Sequence, residues 1–413
     1  MKILHICYSL DGGAGLCALR IMKATSSLGI ENRALVVSGS KSDIVDVVQY
    51  LYPWSKYRTV RKFQVLLSLA GKWPKEISAI NQISKKIERE KEKCKDSITF
   101  TSPITKYKNI TFHPWVKEAD IIHLHWVGRF LDYESFFKEI GKPIVWTLHD
   151  ENPGLGGFHY SSWKNDAPNS FQLLDDELMH IKEKAYKSLS SSMTLVAISK
   201  KMENFIHQNP ILRSFPSVLI HNGIDGDSFE KIRKSTAREV LSISLEKTVF
   251  LFAAYDIYDQ RKGLKELIDA LESFNDPNIT LLCLGHYNVI PNTSIEIRCE
   301  GFISNSRIMS IFYSAADFFV MPSFQEAFAQ TPMEAMACGT PVISFPCSGA
   351  ADLINDDNGI ICSDFTTNAL VESIQKAMNI HYDSATIRDG ILSRFSYQII
   401  ANQYVDLYNS VLS

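Results

Sequence analysis

Short, unbroken apolar runs rich in β-branched residues recur along the chain, each bounded by turn residues. This is the pattern of strands buried on both faces of a parallel sheet. In the first half they are Ile3–Tyr8, Ala34–Val37, Asp120–His125, Ile144–Leu148, Thr194–Ile198 and Val218–His221. The second half repeats the theme with Val249–Ala253, Ile279–Leu284, Ile295–Cys299, Phe318–Met321, Val342–Phe345 and Gly359–Cys362. Helical periodicity fills the gaps, as in Leu16–Leu28, Asp176–Leu189, Leu264–Phe274, Arg307–Ala315, Pro332–Cys338 and Thr367–Met378. Each parallel crossover needs a covering helix, so the alternation predicts an α/β protein of two doubly wound, Rossmann-like domains facing across a cleft. Pro210, Pro216 and the turn His221–Asp225 place the boundary near residue 223, giving domains 1–222 and 223–396. The segment 397–413 reads as an amphipathic helix that packs back on the first domain.

Composition narrows the class. A chain of 413 residues with 45% hydrophobic and 22% charged side chains is neither disordered nor a small disulfide scaffold. The net charge of −3 gives no case for nucleic-acid binding by bulk electrostatics. Its distribution is uneven: residues 1–222 carry 30 basic and 22 acidic side chains, the remainder 13 and 24. The eight cysteines are scattered with no C-x-x-C, mostly in apolar runs, as in a reduced cytoplasmic protein. The apolar start Ile3–Leu10 runs into Asp11-Gly12-Gly13 without a cleavage site, and no apolar run approaches the ~18 residues that span a bilayer. Between Lys56 and Lys95, twelve basic and four acidic residues interleave with Phe63, Leu66, Leu67, Leu69 and Trp73. That stretch suits either a peripheral surface for an anionic inner-membrane face or a solvated helical insertion.

The sharpest local signal is Glu326-Ala-Phe-Ala-Gln-Thr-Pro-Met-Glu334, two carboxylates eight apart across a strand-to-helix turn. With Pro332 as the first helical residue, Thr331 becomes the N-cap and Glu334 its capping-box partner, which leaves Glu326 unexplained by structure alone. Loops after buried strands of open α/β sheets bind ligands, and a helix N-terminus offers N–H groups to an anion. Arg261-Lys262-Gly263, between an apolar strand and a helix, suits a diphosphate or a solvated pair of surface cations. Asp11-Gly12-Gly13-Ala14-Gly15 lacks the G-x-G-x-x-G spacing, so its glycines serve close substrate approach or a tight turn. His123 and His125 share a strand face, but no third ligand stands at a recognisable spacing, which favours hydrogen-bonded histidines over a metal. His149-Asp150 follows a central strand and precedes a glycine-rich loop ending in His159 and Tyr160. The expectation is a flexible loop beside a cleft-lining His149, with a satisfied structural histidine as the alternative.

With these pieces assembled, the chain resembles the retaining glycosyltransferases of the GT-B fold, family 4, which act in bacterial polysaccharide and lipid-linked glycan biosynthesis. The resemblance runs through Gly12–Gly15, Asp120–Trp126, Trp146–Asp150, His221–Asp225, Arg261–Gly263 and, most specifically, the E-x7-E segment with its following Glu-Ala-Met-Ala-Cys-Gly-Thr-Pro-Val. It implies that Arg261 and Lys262 neutralise a donor diphosphate and that Glu326 contacts the donor sugar. It implies further that Glu334 holds the ribose, and that the amides near Phe328, Ala329 and Gln330 bind sugar or phosphates. Gly12 and Gly13 would approach the diphosphate, and His149 would stand near the transferred sugar, so that His149, Lys262 and Glu326 carry the catalysis. The implied donor is a nucleotide diphosphate sugar, UDP-linked by preference, and the acceptor a glycan or a polyprenyl-diphosphate-linked glycan. No metal and no other cofactor is implied. Ala253-Ala254-Tyr255-Asp256 stands where many relatives carry a further Arg, and Ala329 where Gly is frequent. A sugar-nucleotide epimerase and a catalytically silent glycan-binding protein are the competing readings.

Overall fold

The structure is a computed structural model describing residues 1–39, 46–49, 75–94, 98–108, 110–347 and 349–413. Half of the basic aromatic stretch, residues 56–74 and Lys95, lies outside the described residues; its remainder includes the helix Lys75–Lys91. The chain divides into two compact units. Unit one holds residues 1–198, 202–220 and 401–413, and unit two holds 199–201 and 221–400.

Unit one is a seven-stranded parallel sheet. Its strands are β1 (Lys2–Ser9), β2 (Glu31–Ser38), β3 (Asp46–Gln49), β4 (Ile121–Leu124), β5 (Ile144–Leu148), β6 (Met193–Ala197) and β7 (Ser217–Leu219), in the order β3-β2-β1-β4-β5-β6-β7. The strands Ile121–Leu124 and Ile144–Leu148 are buried at every position, which is why they read as continuous apolar runs with no alternation. The register sets His5 directly beside His123 across β1 and β4. The last helix, Tyr397–Leu412, gives this unit Tyr404 and Tyr408, both fully buried. Their hydroxyls meet Thr147 Oγ1 at 3.1 Å and His123 Nδ1 at 2.7 Å.

Unit two repeats the winding with six strands: β8 (Thr248–Asp256), β9 (Ile279–His286), β10 (Glu296–Gly301), β11 (Phe318–Met321), β12 (Val342–Ser344) and β13 (Gly359–Ile361). Their order is β10-β9-β8-β11-β12-β13, all pairs parallel. Phe250, Phe252, Leu281, Val320, Ile343 and Phe345 carry its core, sealed by Leu267 and Leu271 of the helix Leu264–Glu272. In both sheets the strand order reverses once, between β1 and β4 and between β8 and β11. The loops leaving the carboxyl ends of those strands are where such sheets accept ligands.

Candidate active site

In unit two the reversal point collects the charged residues. The chain leaves β8 through the short turn Gln260–Lys262, opened by Asp259, whose carboxylate accepts from the Arg261 amide at 3.0 Å. Gly263 closes that turn at φ 73°, where a Cβ would come within 2.0 Å of the Pro322 carbonyl oxygen, so only glycine lets the two loops touch. Phe324 N donates to Arg261 O at 2.9 Å, and the Arg261 guanidinium donates to Gln325 O at 3.1 Å and to Asp259 Oδ2 at 3.0 Å. The Lys262 ammonium donates to Glu326 Oε1, and the Arg261 guanidinium lies 4.0 Å from the same carboxylate oxygen. The loops after β8 and β11 therefore bring Arg261, Lys262 and Glu326 together.

Glu334 is used differently from the sequence expectation. The helix runs Gln330–Ala337 with Ala329 as its N-cap and no side-chain cap, so Thr331 and Pro332 are its second and third residues. Proline is accepted there because the first turn's N–H groups have no intrahelical partner. No capping box forms: the buried Glu334 accepts from the Tyr313 hydroxyl at 3.0 Å. Phe328 and Ala329 are buried and Gln330 half-buried, at the start of this helix and beside the Glu326 loop.

Unit one fills its reversal point with uncharged rings. Gly12 caps the helix Gly13–Ser26 at φ 84°, and a Cβ at Gly13 would meet nothing within 4 Å. On the neighbouring strands, His5, His123 and His125 are buried, and one ring nitrogen of each lies within 4.8 Å of the other two. The third histidine is thus supplied by β1 pairing 118 residues away, a partner that no local spacing reveals. Their nitrogens are occupied by hydrogen bonds: His5 to Asn32 and His125, His123 to Tyr408 and Thr147, and His125 to His5 and His149. Burial lowers His5 to about 4 and takes His123 and His125 well below the ordinary imidazole range.

His149 is half-buried at the end of β5, and its Nε2 lies 3.2 Å from His125 Nδ1. It borders a small concavity with Asp150, Trp126, Tyr133 and Asn152. Burial lowers its pKa to about 4 even against the attraction of Asp150. The loop that follows is not the flexible segment expected. Residues 152–159 are buried, and a Cβ on Gly156 would fall 1.7 Å from Asp175 O. Asp175 accepts from the amides of Gly157 and Phe158 at 2.6 and 3.0 Å, and the buried Lys182 donates to Asn152 O, Asn152 Oδ1 and Leu155 O. Burial pushes Lys182 down to about 7, opposed by Asp175 and Asp150. These glycines serve close packing. His159 is likewise buried, meeting Asp150 Oδ2 at 2.6 Å and Thr101 Oγ1 at 3.1 Å. Burial alone would raise the Asp150 carboxyl, but His159, the Asn152 amide and the Trp126 indole outweigh it and hold it low.

Residues 234–388 match the family described as glycosyl transferases group 1, and this stretch contains Arg261, Lys262, Glu326 and Glu334. The chain is 23% identical over 316 residues to the GDP-mannose:cellobiosyl-diphosphopolyprenol alpha-mannosyltransferase of Xanthomonas oryzae pv. oryzae, covering 72% of this chain and 76% of that one. The chain has the GT-B fold of known glycosyltransferases. The fold match extends end to end. Sucrose-phosphate synthase from Thermosynechococcus elongatus superposes with a TM-score of 0.66 at 19% identity, covering 100% of this chain and 99% of that chain. The Anabaena protein HepE in complex with UDP-glucose gives 0.64 at 17%, covering 99% and 100%.

One grouping of side chains in unit two has no counterpart among the sequence motifs. Tyr255, His286 and Phe302 stand at or just beyond the carboxyl ends of β8, β9 and β10, all exposed. The His286 and Phe302 rings stack at 4.8 Å and 8°, with Tyr255 edge-on to both. Exposed aromatics far apart in sequence carry no periodic signature; only the strand order groups them.

Proposed function

We propose that this protein is a glycosyltransferase that moves a sugar from a nucleotide diphosphate sugar, UDP-linked by preference, to a hydroxyl of a glycan or polyprenyl-diphosphate-linked glycan, with retention at the anomeric carbon and in the service of surface polysaccharide. The observation that carries this reading is the grouping of Arg261, Lys262 and Glu326 at the reversal point of the family-matched unit. Breaking the anomeric bond builds negative charge on the leaving diphosphate. Two fixed cations and the helix N-terminus at Gln330 stabilise that charge more in the transition state than in the ground state. These cations supply what a divalent ion supplies elsewhere, so the reaction is read as metal-independent. Glu326 and Glu334 offer acceptors to sugar and ribose hydroxyls, Phe328, Ala329 and Gln330 border them, and the aromatic group Tyr255–His286–Phe302 offers a stacking surface to a nucleobase. In unit one, Gly12 and Gly13 are assigned to the diphosphate and His149 to the transferred sugar.

Two relatives lend the donor class support: HepE is described in complex with UDP-glucose, and the Xanthomonas enzyme is named for GDP-mannose and a diphosphopolyprenol acceptor. Among the described residues no helix is long and apolar enough to cross a membrane. On this reading a lipid-linked acceptor lies at the cytoplasmic face of the inner membrane and is met through the basic residues 56–95. The test is a panel of UDP-, GDP- and dTDP-sugars scored by thermal stabilisation, because a ligand that binds the native state raises its melting temperature. The stabilising donor is then assayed with glycan acceptors and the product anomer read by NMR. Donor conversion with no acceptor present overturns transfer in favour of epimerisation, and an inverted product overturns retention. Failure to bind anionic vesicles even at low salt overturns the membrane contact.

A further inference from the structure

The hydrogen bonds of unit one run in one direction, and their direction is fixed at a backbone. The Asn32 side-chain nitrogen lies 3.1 Å from Met22 O and 3.3 Å from Ile30 O, two carbonyls that only accept. It also lies 2.9 Å from Thr25 Oγ1, whose own proton goes to Ile21 O at 2.8 Å. The amide can therefore present only Oδ1 to His5. From there each step follows, since a neutral imidazole has one donor and one acceptor. His5 Nε2 donates to Asn32 Oδ1 at 2.9 Å, which leaves His5 Nδ1 to accept from His125 Nε2 at 2.9 Å. His125 Nδ1 then accepts from His149 Nε2 at 3.2 Å.

We infer that the chain Asn32–His5–His125–His149 locks His149 as the Nε2–H tautomer, so that its Nδ1 is a hydrogen-bond acceptor reserved for a ligand hydroxyl. His149 makes no other hydrogen bond among the described residues. An acceptor nitrogen accepts a hydrogen bond from a sugar hydroxyl and repels a phosphate oxygen, which sorts the two ends of a nucleotide sugar. Asn32, His5 and His125 are positioning residues, acting through His149. Burial without a facing carboxylate keeps His5 and His125 neutral, which the alternating pattern requires. The functional half of this inference rests on the assignment of His149 to the sugar; the tautomer does not.

The experiment is nitrogen NMR of the full-length protein with ¹⁵N-labelled histidine at pH 7. The expected spectrum has His5, His125 and His149 each carrying the proton on Nε2, with couplings across the two N–H···N bonds. A His149 bearing its proton on Nδ1, or on both nitrogens, overturns the proposal. His125→Phe removes the relay while keeping an aromatic ring; it should release His149 into mixed tautomers and lower kcat about tenfold, the loss of one oriented hydrogen bond. His125→Gln, which retains one donor and one acceptor, should restore both. Unchanged His149 signals and full turnover in His125→Phe overturn the inference, and if that variant does not fold, the wild-type and His125→Gln spectra still decide it. His149→Ala with undiminished turnover, alongside the expected wild-type spectrum, would remove the sugar assignment and leave the relay standing.

Discussion

The two units wind their sheets alike, yet they treat the same topological position in opposite ways. At the reversal between β1 and β4, unit one gathers neutral rings that bond to one another out of water. At the corresponding point between β8 and β11, unit two gathers opposed charges: Lys262 against Glu326, and Arg261 against Asp259 and Glu326. Topology thus decides where a polar group stands, while burial decides whether it stays charged. A buried imidazole cluster avoids desolvation by staying neutral, whereas partly solvated loops keep full charge available for an anionic ligand.

The comparison breaks most sharply at Lys262. If its charge serves a leaving diphosphate, Lys262→Ala should lower turnover by about 10² to 10³-fold. The fold should barely respond, since a partly exposed ion pair is worth about 1 kcal/mol or less. Steady-state transfer rates measured beside melting temperatures check both halves, and near-normal turnover would remove the charge from the chemistry.

Acid should separate the units next. His5 sits at about 4 in the native protein against 6.5 when unfolded, so between those values the unfolded chain holds a proton that the native state refuses. Native stability therefore falls as pH drops from about 6.5 toward 4, by about 1.4 kcal/mol per unit for this histidine, and the contribution is complete above 6.5. His123 and His125 act in the same direction. Amide exchange should show β1, β4 and β5 losing protection on acidification before β8, β11 and β12 do. Equal loss in both units would mean that the buried histidines do not set the acid response.

Within unit one, the glycine loop sharpens the point that burial, once polar atoms are satisfied, yields order. Lys182→Met should cost about 2 kcal/mol by stripping the donor from Asn152 O, Asn152 Oδ1 and Leu155 O, all in a buried setting. Chemical denaturation measures it; an unchanged midpoint would mean that the loop holds without its lysine.

How far these features were legible depends on the range of the interaction that creates them. The apolar runs at Ile144–Leu148 and Phe318–Met321 announce buried strands because burial on both faces writes itself into consecutive residues. The doubly wound α/β architecture followed from that alternation. Arg261, Lys262 and Glu326 were recognisable as motifs, but their convergence depends on Gly263 meeting Pro322, which no spacing encodes. The histidine chain was hidden because His5 joins His125 only through strand pairing, and Asn32 enters from a third strand. The glycine loop misled for the converse reason: glycine permits both mobility and close packing, and only Asp175 and Lys182, across the chain, select the second. Glu334 shows the limit of local rules, since Tyr313 from a separate helix takes the carboxylate that a capping box would have used.

The smallest effect expected lies on the exposed aromatic group of unit two. Phe302 and Tyr255 are 48% and 65% exposed, so their rings do little for the core, and yet they are held in register with His286 at neighbouring strand ends. An aromatic surface kept in water is energetically idle unless something flat covers it, and a stacked ring adds about 0.5 to 1.5 kcal/mol beyond its area. Phe302→Ala should then raise the donor KM by up to about tenfold with kcat and melting temperature unchanged, because stacking on a remote base is equal in ground and transition states. A fall in kcat at constant KM would instead tie this cluster to the reacting centre. A lower melting temperature with normal kinetics would make it packing, and unit two would then rely on charge alone.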